Sequence, residues 1–139
     1  MQITRQADYA VRAVLYLAKL GPNNRASTAQ IAKEQLIPTT FLAKIVSQLA
    51  AVGVVRATRG ARGGVTLARP AADISLLEIV ETIDGPMALN ECVIEPDRCP
   101  LSNACPVRAV WCDAQVKLAN QLAQTNFAQL IQSNGLSAN

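Results

Sequence analysis

The chain has 139 residues, half of them hydrophobic and few aromatic, with four cysteines, no histidine and a formal net charge of +3. That is enough chain for one domain with a real core and an extension, and the missing histidine excludes histidine-based catalysis and histidine-containing metal sites. No apolar run approaches the ~18 residues of a membrane span, and Arg5, Asp8, Arg12 and Lys19 break up the first twenty residues, which argues against a secretion signal. The expected setting is the cytoplasm, with no membrane partner. Thiols stay reduced there, so the cysteines read as ligands or redox sensors rather than structural disulfides.

The first helix is expected from about residue 4 to 20, where Gly21-Pro22 stops it, with Ala7, Val11, Val14, Leu15 and Ala18 on one face. Ser27 and Thr28 are good N-cap residues for a second helix, in which Ala29, Ile31, Ala32 and Leu36 recur at helical spacing. Pro38, followed by Thr39 and Thr40, starts a third, because proline suits the first helical turn. Phe41, Leu42, Ile45, Val46 and Leu49 form its buried stripe and Gly53 its stop. Thr39, Thr40, Ala43, Lys44, Ser47 and Gln48 are left facing outward, small or hydrogen-bonding enough to let the helix enter a groove. Two β-type runs, 54–58 and 65–69, flank Arg59-Gly60-Ala61-Arg62-Gly63-Gly64, a basic hairpin tip. Helix, turn, helix and basic ribbon together describe a winged helix-turn-helix.

Ile74, Leu76, Leu77, Ile79, Val80 and Ile83 make another short helix that ends at Asp84-Gly85-Pro86. A stretch of about twenty residues, 87–106, then lacks an apolar pattern, and segments of that length are usually functional or disordered. From 106 to about 131 the pattern is helical again. One stripe holds Ala109, Cys112, Val116, Ala119, Ala123, Phe127 and Leu130; another holds Val107, Trp111, Ala114, Leu118 and Leu122. A helix apolar on two faces needs two partners: its own subunit and the same helix of a second subunit. The expected organisation is mainly α with a small β-wing: a winged helix-turn-helix over 1–85, a cysteine-containing loop over 86–106, a dimerisation helix over 107–132 and a tail over 133–139.

Charge makes double-stranded DNA the expected partner. Residues 1–70 carry ten Lys or Arg against two acids, Asp8 and Glu34, whereas residues 71–139 carry three basic and eight acidic residues. Positive potential therefore gathers on the half that holds the helix-turn-helix, where phosphate contacts dominate affinity. An RNA platform would call for more aromatics than this chain has. Thr28, Pro38, Thr39, Thr40, Lys44, Gln48, Arg59 and Arg62 are the candidate DNA-binding residues, and a two-fold dimer would read a palindromic operator with its recognition helices about 34–36 Å apart. Asp8 stands out as an acid in a basic half, and its plain role is to pair with Arg5 or Arg12.

The cysteines are spaced Cys92-x6-Cys99-x5-Cys105-x6-Cys112. This is not the paired C-x2-C rhythm of most structural zinc sites, and without histidine both Cys3His zinc and Rieske-type sites are excluded. Wide spacing on a loop suits an iron–sulfur cluster, and Cys99-Pro100 and Cys105-Pro106 echo the Cys-Pro that ends a common ferredoxin run. Spacing alone leaves a cluster, zinc and metal-free redox thiols all open.

Taken together, the chain resembles the Rrf-two (Rrf2) family of bacterial winged-helix regulators over about residues 1–131. The resemblance rests on Ala7-Asp8-Tyr9-Ala10-Val11-Arg12, on Leu49-Ala50-Ala51-Val52-Gly53-Val54-Val55, on residues 59–70 with their arginine–glycine tip, on the helix over 74–85, and on three cysteines before a helix containing Val110-Trp111. It implies a homodimeric transcription regulator whose iron–sulfur cluster, 2Fe–2S or 4Fe–4S, controls DNA affinity. Cys92, Cys99 and Cys105 match the family's three ligands. The cluster-supply (IscR-like) branch takes a histidine three residues after the last cysteine; that place is Arg108 here, which disfavours the branch. In the nitric-oxide-sensing (NsrR-like) branch an acid of the first helix serves as fourth ligand from the other subunit, and Asp8 matches that position. Cys112 departs from the family pattern: it lies about 10 Å along the helix from Cys105 and is expected to pack, with ligation in place of Asp8 as the alternative.

The expectation is therefore a DNA-binding repressor, not an enzyme, whose cluster senses nitric oxide, redox state or iron and cluster supply. Its rivals are a metal-free thiol switch or zinc-stabilised winged-helix adaptor that binds protein, and an electron carrier or redox enzyme. No P-loop or nucleotide fingerprint supports the last.

Overall fold

Thr4 caps the first helix as its residue type suggests: its hydroxyl accepts a hydrogen bond from the Ala7 N–H at 3.1 Å. In the computed structural model, which describes residues 2–133, α1 then runs Arg5–Leu20 and ends on Gly21 at φ +89°. Its buried face is Ala7, Tyr9, Ala10, Ala13, Val14, Leu17 and Ala18; the expected Val11 and Leu15 sit at the margin, half-buried. The small alanines let α1 lie close to its neighbours, and it forms the central element, packed against the helices that follow on either side.

Helix α2 spans Thr28–Gln35, with the Ser27 hydroxyl accepting from the Gln30 N–H at 3.0 Å. It stops because Leu36 turns left-handed (φ +55°), which leaves Leu36 82% exposed rather than in the expected buried row. Ile37 and Pro38 bridge to α3, Thr39–Ala51, whose Leu42, Ile45, Val46 and Leu49 are buried. Each fully buried aliphatic chain of this kind contributes about 1.5–3 kcal/mol. Phe41 departs from the expectation. It is 41% exposed and leans on Tyr9, with ring centroids 6.1 Å apart, so it lies outside the stripe. Gly53, at φ +78°, ends the helix.

Strands β1 (Val55–Thr58) and β2 (Gly64–Leu67) pair antiparallel with Val55 opposite Leu67 and Thr58 opposite Gly64. Ala26 bridges to Val65 through two backbone hydrogen bonds, which fasten the ribbon to the start of α2. The tip can close only with glycine at residue 63, where a Cβ would come within 2.0 Å of the Thr58 carbonyl oxygen. Arg69 locks the ribbon's far end: it donates to the carbonyls of Gly53 and Asp73 and pairs with Glu78.

Helix α4 covers Leu76–Asp84, capped by the Ser75 hydroxyl, and packs Ile79 and Val80 inward. Asp84 at its end accepts from the Thr4 N–H at 3.2 Å, which ties the end of α4 to the start of α1. The expected loop is built of short turns: α5 (Glu91–Ile94) and 3₁₀ turns at Pro96–Arg98 and Ser102–Ala104. Each is too short to carry a periodic signal.

The expected single helix over 107–132 is two. Helix α6 runs Pro106–Gln124, and α7, Phe127–Ser133, turns back onto α1. The break is made by a reciprocal cap, in which the Asn126 side chain accepts from the Gln129 N–H and the Gln129 side chain accepts from the Asn126 N–H, both at 2.8 Å. Leu76 N–H donates to the Thr125 carbonyl and Phe127 N–H to that of Ile74, a short antiparallel pairing that seats Phe127, fully buried, in the core. The expected stripe through Phe127 and Leu130 thus belongs to a different element. The tail over 133–139 lies, beyond Ser133, outside the described residues. Among the described residues no helix is long and apolar enough to cross a membrane.

Candidate nucleic-acid interface and cysteine centre

The outward face of α3 is open. Pro38 at its N-cap and Thr39, Thr40, Ala43, Lys44 and Ser47 along it are exposed, while the buried stripe holds the opposite side. Gln48 departs from the expectation: it is half-buried, and its Oε1 is enclosed with no protein partner. Thr28 is exposed at the start of α2 and shares a groove with Arg59, Gly60 and Gly63 of the wing tip, so the wing and the α2 N-terminus border one recess. Arg56, Arg59, Arg62 and Lys44 are exposed, and among the described residues no carboxylate lies within ion-pair distance of any of them. Unpaired cations flanking small hydroxyl side chains can take phosphate and read base edges without first breaking internal bonds.

Behind this face, Arg12 joins α1 to the helix-turn-helix. Its guanidinium lies over the Tyr9 ring at 4.9 Å, donates to the Gln35 carbonyl at 2.8 Å at the end of α2, and pairs with Asp8 at 3.1 Å. Asp8 thus takes the plain partner expected of it, on an open groove also lined by Thr4 and Arg5. Arg12 was legible only as one more cation of the basic half; its role at the turn depends on a contact 23 residues away in sequence.

The four cysteines are free thiols, all half-buried. Cys92 lies in α5, Cys99 ends the first 3₁₀ turn, Cys105 is the N-cap residue of α6 and Cys112 lies two turns further along. Among the described residues no three Cys, Asp or Glu side chains stand close enough together to hold a metal ion, so the protomer does not gather Cys92, Cys99, Cys105 and Asp8. Two α6 side chains that the sequence did not suggest hold the segment on the helix. Arg108 Nε donates to the Cys92 carbonyl at 2.9 Å, and Gln115 accepts from the Leu89 N–H and donates to the Met87 carbonyl, each at 2.8 Å. In donor chemistry the segment fits an iron–sulfur cluster: three thiols within fifteen residues and, between two of them, the buried Ser102 hydroxyl with no protein partner. Holding such a cluster would require the short turns to draw together.

No residue of α6 is fully buried. Arg108, Cys112, Gln115, Ala119 and Leu122 are half-buried, and the helix packs on α4 and α5. Val107, Val110, Trp111 and Val116 are exposed. Neither expected stripe is therefore wholly covered or wholly open: Cys112 and Ala119 of the first and Ala114, Leu118 and Leu122 of the second are half-buried, while Val116 of the first and Val107 and Trp111 of the second, with Val110 beside them, face outward.

The family model for Rrf2, described as "Iron-dependent Transcriptional regulator", matches residues 3–133. Among solved structures, CymR, the global cysteine regulator of B. subtilis, superposes with a TM-score of 0.80 at 24% identity, covering 94% of this chain and 95% of that one. IscR of T. potens gives 0.74 at 22% identity over 96% and 88% of the two chains, and the oxidized form of Staphylococcus aureus CymR gives 0.73 at 25% over 94% and 95%.

Proposed function

This chain belongs to the Rrf2 family of DNA-binding transcriptional regulators, and on that premise we propose that it is a homodimeric repressor whose operator affinity follows an iron–sulfur cluster. The observation that carries the reading is the segment of three half-buried thiols held against α6 by Arg108 and Gln115. In this reading Cys92, Cys99 and Cys105 hold the cluster, and Asp8 of the partner subunit completes it. Cys112, half-buried on the covered side of α6, packs. A bound cluster supplies an iron that a small molecule such as nitric oxide can reach, because a carboxylate is a weaker ligand for iron than a thiolate.

The protein's own residues supply the coupling. Asp8 holds Arg12, and Arg12 holds the end of α2 through the Gln35 carbonyl. Drawing Asp8 toward a partner's site frees Arg12 and loosens the turn between α2 and α3. An effector shifts DNA affinity only by favouring one such arrangement over another. Arg108 stands where the IscR-like branch has histidine and is engaged with the Cys92 backbone, which supports the nitric-oxide-sensing reading over cluster supply. The open apolar face of α6 supports a two-fold dimer, and the unpaired cations of α3 and the wing support duplex DNA with a palindromic operator.

A second reading is favoured by one observation: among the described residues no three of the thiols and carboxylates stand close enough together to hold a metal. Here the protein is a metal-free thiol switch on the same fold, in line with its likeness to CymR in an oxidized form. Anaerobic purification separates the two. A brown protein with stoichiometric iron and sulfide, whose DNA affinity changes on exposure to nitric oxide, is the expected result. A colourless protein whose DNA affinity responds to oxidant and dithiothreitol would replace the cluster with the thiol switch.

A further inference from the structure

Ser102 is placed against the usual partition of side chains. It lies in the 3₁₀ turn Ser102–Ala104, is 6% exposed and is the only buried polar residue among those described. The residue before it, Leu101, is 71% exposed, so this turn puts an aliphatic chain in solvent and a hydroxyl inside. The Ser102 Oγ is enclosed and has no protein partner. Burying a hydroxyl without a partner is unfavourable, and serine offers almost no apolar surface to offset it. The backbone fixes what stands beside it. Ser102 N–H donates to the Cys99 carbonyl at 3.1 Å, and the Ser102 carbonyl accepts from the Cys105 N–H at 3.4 Å. Along the backbone Ser102 thus lies between two of the three cysteines assigned to the cluster, three residues from each and tied by a main-chain hydrogen bond to both.

We propose that Ser102 is a positioning residue of the cysteine centre, its Oγ–H donating a hydrogen bond to cluster sulfur held by Cys99 and Cys105 and so setting the cluster's reduction potential. The inference rests on the cluster reading above. A sulfur acceptor gives the one buried hydroxyl of this turn a partner that no protein atom provides. A donor to sulfur favours the more electron-rich, reduced form, and hydrogen bonds to the sulfurs are among the main determinants of cluster potential. Removing the donor therefore lowers the potential without removing a ligand.

The test uses the full chain, reconstituted anaerobically, with Ser102→Ala and Ser102→Thr beside the wild type. The expected Ser102→Ala protein holds full iron and sulfide, melts no lower than wild type in its apo form, and has a lower midpoint in a spectroelectrochemical titration. The expected change is about tenfold in the ratio of oxidised to reduced cluster at fixed potential, roughly 59 mV for a one-electron couple. Ser102→Thr keeps the hydroxyl and restores the midpoint. Should the alanine variant not fold, Ser102→Gly removes the same hydroxyl and carries the measurement. An unchanged midpoint overturns the proposal. Loss of the cluster from Ser102→Ala also overturns it, since the oxygen would then be a ligand rather than a donor. A wild-type protein that takes up no cluster refutes the cluster reading itself, and is recognised before any variant is made.

Discussion

Removing both wing arginines is expected to weaken DNA binding through its salt dependence while leaving the fold intact. Arg59 and Arg62 are exposed and make no ion pair among the described residues, so Arg59→Ala with Arg62→Ala strands no buried charge and changes folding stability by no more than about 0.5 kcal/mol each. Each phosphate contact contributes about 0.9 to the slope of log K against log salt, so the double variant should lose about 1.8 from that slope. Between 50 and 200 mM salt, a fourfold range, wild-type affinity should then fall roughly twelvefold further than that of the variant. Fluorescence anisotropy on a labelled duplex across a salt series measures this directly. Arg69→Ala is the control. Its guanidinium is committed to Gly53, Asp73 and Glu78, so its loss should lower the melting temperature and spare the slope. A double variant with wild-type slope, or a folded Arg69→Ala protein with the same loss of slope, refutes the assignment of the wing to phosphate.

Thr40→Ala should relax sequence preference at one operator position by about 1–3 kcal/mol and leave non-specific affinity alone; a set of duplexes varied at single positions reads it, and uniform weakening would move Thr40 to the backbone. Cys99→Ala should abolish the visible absorption of anaerobically prepared protein, and a full cluster in that variant, with loss in Cys112→Ala, would redraw the ligand set around Cys112. Asp8→Ala should alter both the cluster spectrum and DNA affinity, whereas Cys112→Ala should alter neither; an unchanged Asp8→Ala protein removes Asp8 from the centre. Phe127→Ala empties a fully buried site and should cost about 3–5 kcal/mol in urea unfolding. A loss under about 1 kcal/mol would mean that α7 does not seal the core.

The helix-turn-helix and wing were legible because each boundary has a local chemical cause. Ser27 caps, Pro38 starts, Gly53 stops, and only glycine fits at residue 63. The break between α6 and α7 was not, since alanine, glutamine and leucine keep a helical period through residues 119–131 and conceal the Asn126-x-x-Gln129 cap. Phe41 was misplaced for a related reason: periodicity set it on a face whose edge is fixed by Tyr9, 32 positions earlier. The proposed centre was legible only as candidate residue types, Cys92, Cys99, Cys105, Cys112 and Asp8, which the protomer does not bring together. Its supports were not, because Arg12 with Gln35, Arg108 with Cys92 and Gln115 with Met87 are contacts between distant segments, and a single buried serine has no signature in sequence.

The backbone pairing of Ile74 and Leu76 with Thr125 and Phe127 has a mechanical consequence. It pins the far end of α6 to the body that carries α3, while the near end begins at Cys105. At 1.5 Å per residue, the 19 residues of α6 form an arm about 28 Å long whose fixed end is at Thr125. A 1 Å displacement at the Cys105 end swings that arm by about 2°, so that Val107 travels about 0.9 Å and Val110 and Trp111 about 0.7 Å. In a dimer built on that face, a small contraction of the cysteine segment becomes a tilt of one subunit against the other. Cys105 thus sits at the end of the arm where a given force yields the most torque.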